Sequence, residues 1–490
     1  MKKKSLKKNA LLNSVRVILR LLFSLISVPY VSRTLGVEGV GAYSFSASIV
    51  SYFSLIAQLG IESFAVREGA KYRENRKEFS NFASEIFTIN AMSTLLSYIL
   101  LFICLAFVQK FADYRLIIMI LSMQIILNTL GCEWIYTIYE DFAYITYRTM
   151  LFQIISIVLL LTLVKTPNDL IKYSIIMVLS SGGNNILNFI HIKKYADIKL
   201  KITKNTPKYM APILILFASN VTTTIYVSSD TTILGFLTDD FRVGLYSTSA
   251  KIYNMIKTIL SSVIVVSIPR LSYLWGNEKK EEFKKLAESI INMLIITVLP
   301  VMTGVISIAY EILYIIAGKE YIQGTLSLQI LGAALICSMF SWFYVSCILI
   351  PAKREKKVLV ATIIAGLTNI LLNFVLIPYF YQDAAAFTTF LAELISFSIS
   401  YANARKIIKI DINRKNLVSA IVGCLGIFIW CYVIKNWTKL NIISMTIVSI
   451  AGAVIIYIAV ELLMKNEIMM DLLKSMKGKF IKEKKEENIG

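Results

Sequence analysis

The chain has 490 residues, 57% of them hydrophobic, and a formal net charge of +20. Apolar runs of about 20 residues recur from end to end, which excludes a soluble domain and reads as an all-α polytopic membrane protein. Nucleic acid is excluded as a partner, because the basic residues fall in short clusters between apolar runs, as cytoplasmic loops do.

The start, Met1-Lys2-Lys3-Lys4, has the charge of a signal peptide, but no small-residue cleavage site follows, so the first helix is expected to be retained. Transmembrane helices are expected near 11–31, 42–66, 81–108, 115–138, 149–164 and 171–190. A second set follows near 208–234, 245–268, 286–316, 325–350, 358–378 and 384–402, and a last pair near 417–434 and 441–463. That makes about fourteen. The six cysteines all lie within apolar runs without metal-ligand spacing, so they read as packing residues, and no metal or cofactor is expected.

The chain repeats itself. Val40-Gly41-Ala42-Tyr43-Ser44-Phe45-Ser46-Ala47-Ser48-Ile49 and Val243-Gly244-Leu245-Tyr246-Ser247-Thr248-Ser249-Ala250-Lys251-Ile252 agree at seven of ten positions, at a constant offset of 203 residues. A second echo sets Glu133-Trp134-Ile135-Tyr136 against Ser341-Trp342-Phe343-Tyr344. Self-similarity over so long a spacing is the mark of an internally duplicated transporter. The expected domains are a six-helix lobe over 1–207, a second over 208–405, an added helix pair over 406–463 and a basic tail over 464–490. An even number of helices per repeat relates the two lobes by an axis along the membrane normal.

Orientation follows from Lys and Arg. One set of segments carries most of them: the N-terminus, 67–80, Arg148, 191–208, 270–285, 353–357, 405–415 and the tail. The opposite loops carry few, which places both termini in the cytoplasm. Arg16, Arg20, Lys251 and Lys257 remain, inside helices. A charge at the bilayer centre costs about 2.5 to 3.5 kcal/mol, so it usually faces a partner or a watery cavity. Asn13, Arg16, Arg20, Ser24 and Ser27 form one polar stripe at helical spacing, and Ser247, Lys251, Asn254, Thr258 and Ser261 form another, with Lys257 at its edge. Both stripes are expected to line an interior. Arg16 and Lys251 can alternatively snorkel to opposite surfaces. Glu393, in the middle of the twelfth expected helix, and Asp230, toward the outer end of the seventh, are the candidate counter-ions or coupling groups. Glu62 and Glu133, near helix ends, are ambiguous.

A family resemblance runs through nearly the whole chain. Ser32-Arg33-Thr34-Leu35-Gly36 with Gly39, Gly41 and Tyr43, then Leu59-Gly60, Glu133-Trp134, Glu140-Asp141-Phe142 with Tyr144-Ile145 and Arg148, then Asp230, Leu234-Gly235, Val243-Gly244, Tyr246, Lys251 and Pro269-Arg270-Leu271, resemble the bacterial oligosaccharide (Wzx-type) flippases. These belong to the multidrug/oligosaccharidyl-lipid/polysaccharide exporter superfamily. The resemblance implies two pseudo-symmetric six-helix lobes around a central cavity, an extra helix pair, and passage of undecaprenyl-pyrophosphate-linked repeat units to the outer leaflet of the bacterial cytoplasmic membrane, for capsule, O-antigen or exopolysaccharide. One departure stands at Tyr379-Phe380-Tyr381-Gln382-Asp383-Ala384, where the family usually has glycine-rich text.

Paired Arg and Lys suit a pyrophosphate through charge-assisted hydrogen bonds. Asn13 and Asn254 suit a glycan, and Tyr43, Tyr246, Tyr226 and Trp134 are candidates to stack on sugar faces, although helical aromatics more often pack. The expected partners are a lipid-linked oligosaccharide, membrane lipids, and polymerase or other polysaccharide-assembly proteins. No catalytic residue is expected: outer loops are short, and His191, the single histidine, sits at the cytoplasmic edge. The alternatives are a flippase for the peptidoglycan precursor and a cation-coupled multidrug exporter, the latter needing an acidic cavity where this one reads as basic.

Overall fold

In the computed structural model, residues 6–203 and 206–470 are described, and so are their side chains except at 6–14, 17, 219, 223 and 263. Among them there are sixteen α-helices and no strand. We number them α1 Leu6–Gln58, α2 Ile61–Gly69, α3 Arg76–Phe107, α4 Arg115–Gly131, α5 Glu133–Ile138, α6 Phe142–Leu163, α7 Leu170–Val178 and α8 Asn184–His191. They continue as α9 Thr206–Leu237, α10 Asp240–Gly276, α11 Lys280–Ser307, α12 Ala309–Ile316, α13 Thr325–Phe343, α14 Glu355–Arg405, α15 Arg414–Trp437 and α16 Ile442–Leu463. Ten described helical segments are long and apolar enough to cross a membrane, or up to twelve if each bent pair counts as one span. The protein is an all-α multi-pass membrane protein.

Helix boundaries follow from single backbone residues. The loop expected between 31 and 42 is only a one-residue break: Gly36 leaves helical geometry at φ 69° and ψ −179°, and α1 resumes, because Val31, Leu35, Val37 and Val40 bury the flanking turns. The real end comes at Leu59 and Gly60, with φ of 45° and 75°, inside the expected helix 42–66. Two left-handed residues in succession reverse the chain, and a glycine relieves the strain at the second. Space demands it too, since a Cβ on Gly60 would lie 3.0 Å from the Leu216 Cβ. Cys132, at φ 40°, divides the expected helix 115–138 into α4 and α5. Ile308 divides 286–316 into α11 and α12.

α14 bends at Tyr381, φ 52°, where the sequence departs from the family pattern. Thr388 Oγ1 donates to Asn373 Oδ1 at 2.6 Å and accepts from Asn369 Nδ2 at 3.3 Å. In a straight helix, residues fifteen apart stand about 22 Å from each other, so α14 is a helical hairpin zipped by buried amides.

The chain divides into two compact units, Met1–Thr248 and Ser249–Gly490. The division falls inside α10, later than the expected boundary at 207/208, because α9 packs on α1. Ser51 Oγ donates to Ser228 Oγ at 3.1 Å and Thr232 Oγ1 to Ser48 Oγ at 2.9 Å. Gly235 leaves room for the Phe45 ring, which a Cβ would meet at 2.2 Å. The first unit's core gathers Phe79, Phe82, Trp134, Ile135 and Tyr136. A smaller cluster joins Val31, Leu35 and Val40 to Leu160, Val164 and Tyr173.

Both copies of the repeated glycine meet inside this first unit. A Cβ on Gly41 would lie 1.8 Å from the Asp240 carbonyl oxygen, and one on Gly244 would lie 2.1 Å from the Val37 carbonyl oxygen. Val37 and Asp240 are themselves related by the 203-residue offset. The contact is therefore reciprocal, residue for residue, which is the geometry of a two-fold interface formed within one chain.

In the second unit, α11, α15 and α16 enclose Ile296, Ile308, Ile427, Cys431 and Tyr457. The Tyr457 hydroxyl donates to the Ile296 carbonyl at 2.9 Å, and Ser419 Oγ donates to the buried Glu461 at 2.7 Å. An apolar cavity of about 540 Å³ opens beside this pack, lined by Leu260, Pro300, Val301, Ile427, Val454 and Tyr457 among others.

Candidate substrate site

Arg16 and Arg20 are four residues apart on α1 and so share a face. They line a polar cavity of about 240 Å³ with Gln58, Glu62, Asn90, Asn128, Glu133, Trp134 and Asn185. Each wall residue is placed by a break or a close approach. The turn at Leu59–Gly60 ends α1 at Gln58 and starts α2, which carries Glu62. It also strips Ala57 of its helical partner, and that carbonyl instead accepts from Asn90 Nδ2 at 2.8 Å and Ser93 Oγ at 2.5 Å, which fastens α3 to the site. The Cys132 break sets Glu133 at the first position of α5. Gly131 lets Asn185 pass, since a Cβ there would lie 2.4 Å from its side chain, and Asn185 Nδ2 donates to Asn128 Oδ1 at 3.0 Å.

The electrostatics centre on Glu133. Its Oε1 accepts from Arg16 Nη1 at 2.8 Å, while Oε2 lies 3.7 Å from Arg148 Nη2. Arg20 is exposed in the cavity, and among the described residues no carboxylate pairs with it. Arg148 corrects the sequence reading, which counted it with the cytoplasmic loop cations. It sits on α6 with its side chain 2% exposed, because Tyr144 and Arg148 are one turn apart and the guanidinium lies 5.8 Å from that ring. The cavity wall is also less basic than expected, with two arginines set against two glutamates, and the excess cation is Arg148 behind them.

A second polar cavity of about 410 Å³ abuts the first through Gln58, which lines both. Its other walls include Tyr43, Ser51, Ser54, Gln124, Asn220 and Thr224. None of its described lining residues is charged. Tyr43 presents one side here and rests on the Tyr173 ring at 4.7 Å between centroids. Trp134 is 4% exposed and packs edge-on against Phe82, so it forms the wall of the charged cavity from within the core.

The remaining residues singled out in the sequence lie elsewhere. Tyr246 is buried, and its hydroxyl donates to Asp230 Oδ2 at 2.6 Å, so these two form a closed contact within the first unit. Lys251 is partly buried and Asn254 exposed on α10 in the second unit. Lys257 Nζ lies 2.9 Å from Glu393 Oε1, with the Tyr253 hydroxyl donating to the same oxygen at 3.4 Å. The Asn13 side chain falls outside the described residues. His191 stacks on Tyr144 at 4.2 Å. Nearby, burial and the Asp141 carboxylate push the Tyr195 hydroxyl well above its usual range.

Sequence reasoning left Glu62 and Glu133 ambiguous and missed the amides Gln58, Asn90, Asn128 and Asn185. For Glu133 the signals available were its place near a helix end and the repeated Glu133-Trp134 motif.

Comparison with known proteins fits this geometry. The family described as polysaccharide biosynthesis protein matches residues 6–275. A putative O-antigen transporter of Shigella dysenteriae is 24% identical over 76% of this chain and 94% of its own length. The capsular polysaccharide biosynthesis protein CapF of Staphylococcus aureus is 23% identical over 74% of this chain and 90% of its own. In fold, the chain is similar to the lipid II flippase MurJ in an inward closed conformation, with TM-score 0.73 and 16% identity over 95% of this chain and 99% of that one. It is also similar to an inward-facing multidrug resistance MATE family transporter, with TM-score 0.62 and 15% identity over 80% of this chain and 97% of that one. This chain belongs to the polysaccharide biosynthesis protein family, the Wzx-type members of the multidrug/oligosaccharidyl-lipid/polysaccharide exporter superfamily.

Proposed function

We propose that this protein carries an undecaprenyl-pyrophosphate-linked oligosaccharide repeat unit from the cytoplasmic to the outer leaflet of the bacterial cytoplasmic membrane by alternating access. Arg20 carries this reading: an exposed guanidinium in a cavity of a membrane-spanning unit, with no carboxylate of its own among the described residues. A charge left without a counter-ion there is unfavourable until an anion arrives, and a diphosphate offers several acceptor oxygens to a planar fork. Arg16, on the same face of α1, is the second contact. The adjoining cavity supplies hydroxyls and amides with no charge, which suits a neutral sugar next to the diphosphate.

In this reading the chain crosses the membrane fourteen times, with both termini cytoplasmic. α1, with 53 residues, and α14, with 51, each rise more than twice the roughly 30 Å of a hydrocarbon core and supply two spans apiece. The protein does no covalent chemistry and hands its load to polymerase and other assembly proteins. A cation exporter is disfavoured because Glu133 is already engaged by two arginines. The peptidoglycan precursor has the same diphosphate, so experiment must separate the two. After depletion, lipid-linked repeat units should accumulate on the cytoplasmic leaflet while the peptidoglycan precursor distributes normally; accumulation of the precursor instead would overturn the assignment.

A further inference from the structure

Resting on the anion-site reading, one group remains unused. Arg148 is 4% exposed, and among the described residues none of its Nε, Nη1 and Nη2 atoms has a hydrogen-bond partner. Buried guanidinium groups normally have their donors satisfied, because stripping water from them is costly. Among the described residues the carboxylate within ion-pair distance is Glu133, whose Oε2 lies 3.7 Å from Nη2, too far for a hydrogen bond. The other oxygen of that carboxylate is held by Arg16 at 2.8 Å. One acid thus stands between two cations, bonded to the one that faces the cavity and short of the one buried behind it.

We infer that Arg148 is a positioning residue that receives Glu133 when a diphosphate takes Arg16. A diphosphate oxygen and Glu133 compete for the same guanidinium. Without a second cation, binding would eject a carboxylate into a partly buried wall with no partner. With Arg148 in place, a shift of under an ångström at the carboxylate closes its ion pair to hydrogen-bond length and satisfies donors that were empty. The ligand then gains Arg16 without leaving Glu133 uncompensated, and the hand-over couples occupancy of the cavity to a movement of α5 against α6. Such a two-position acid is the kind of discrete element through which a bound ligand biases one conformation over another.

The experiment is a double-mutant cycle on the full-length protein in lipid nanodiscs, with inorganic pyrophosphate as the probe and calorimetry as the readout. R148Q is expected to weaken pyrophosphate binding about tenfold, R148K less, and E133Q to tighten it several-fold by removing the competitor. R148Q added to E133Q is expected to change nothing further, because there is no acid left to hand over. An equal weakening by R148Q with and without Glu133 would overturn the hand-over, as would no weakening at all. If R148Q does not fold, R148K runs the same comparison in both backgrounds. R20A separates the two levels: pyrophosphate that binds R20A as well as wild type, or binds neither, sinks the anion-site reading itself.

Discussion

In the first unit one carboxylate, Glu133, is shared between Arg16 at 2.8 Å and Arg148 at 3.7 Å, and Arg20 stands in the cavity without one. In the second unit Lys257 and Glu393 meet one to one at 2.9 Å, with Tyr253 bonded to the same acid. The repeat places similar sequence in both halves, yet the position of Glu133 is taken by Ser341 in the second copy, whose hydroxyl lies 2.9 Å from that of Ser396. A neutral closed pair is a lock: it stabilises the fold when intact and exposes no field to a ligand. An acid shared between two cations, with a third standing beside them, leaves positive charge free to meet a ligand. The difference teaches that duplicated architecture need not mean duplicated chemistry: among the described residues, the cavity-facing arginine without a carboxylate, Arg20, belongs to the first unit.

The comparison can be broken first at the contact that both copies of the repeat share. Gly41→Ala or Gly244→Ala should cost more than about 3 kcal/mol, since each added methyl would overlap a backbone oxygen that cannot swing away. Fluorescence-detected size exclusion should find little folded protein. Two normally folded variants would mean that this crossing is not a tight one.

Next comes the lock. Lys257→Ala strands a buried Glu393, and because the Lys257 side chain is 26% exposed, the loss should be about 1 to 3 kcal/mol rather than the larger figure for fully buried pairs. Replacing both partners should recover part of it. Glu393→Gln separates a lock from a coupler: a structural acid lowers the melting temperature, whereas a titrating one abolishes dependence of transport on a proton or sodium gradient and leaves substrate binding in place. No change on either count would reject both roles.

Arg20→Ala should do the opposite of Lys257→Ala. No ion pair is lost, so the melting temperature should hold within the range of ordinary surface substitutions, while export falls at least tenfold, about 1.4 kcal/mol or more. Leaflet-resolved assays of lipid-linked sugars measure this, and full export at normal protein level would remove Arg20 from the site.

The smallest effect concerns energy. A diphosphate carries about two negative charges outward, which a potential of 100 mV favours by about 2.3 kcal/mol for each charge crossing the full field. Collapsing the potential in vesicles without other gradients should slow flipping several-fold if the cations of the first unit stay in place. Indifference to the potential would mean that they travel with the load.

By itself the sequence determined the class and displayed the repeat, because these rest on composition and on spacing along the chain. Apolar length makes a spanning helix wherever it occurs, and the 203-residue offset is visible without knowing that Gly41 and Gly244 face each other's backbones. It also marked Arg16, Arg20, Lys257 and Glu393, since a charge inside an apolar run stands out by its cost. What it could not show is who answers whom. Glu133 is 117 residues from Arg16, and Arg148 looked like a loop cation because the end of a helix cannot be judged to within one turn from hydropathy alone. Tyr246 looked like a sugar platform until packing closed it onto Asp230. Partner choice, burial and the sharing of one acid by two bases are decided by where left-handed residues such as Leu59, Gly60 and Cys132 turn the chain. Those turns set distances between residues far apart in sequence, and only the folded chain contains such distances.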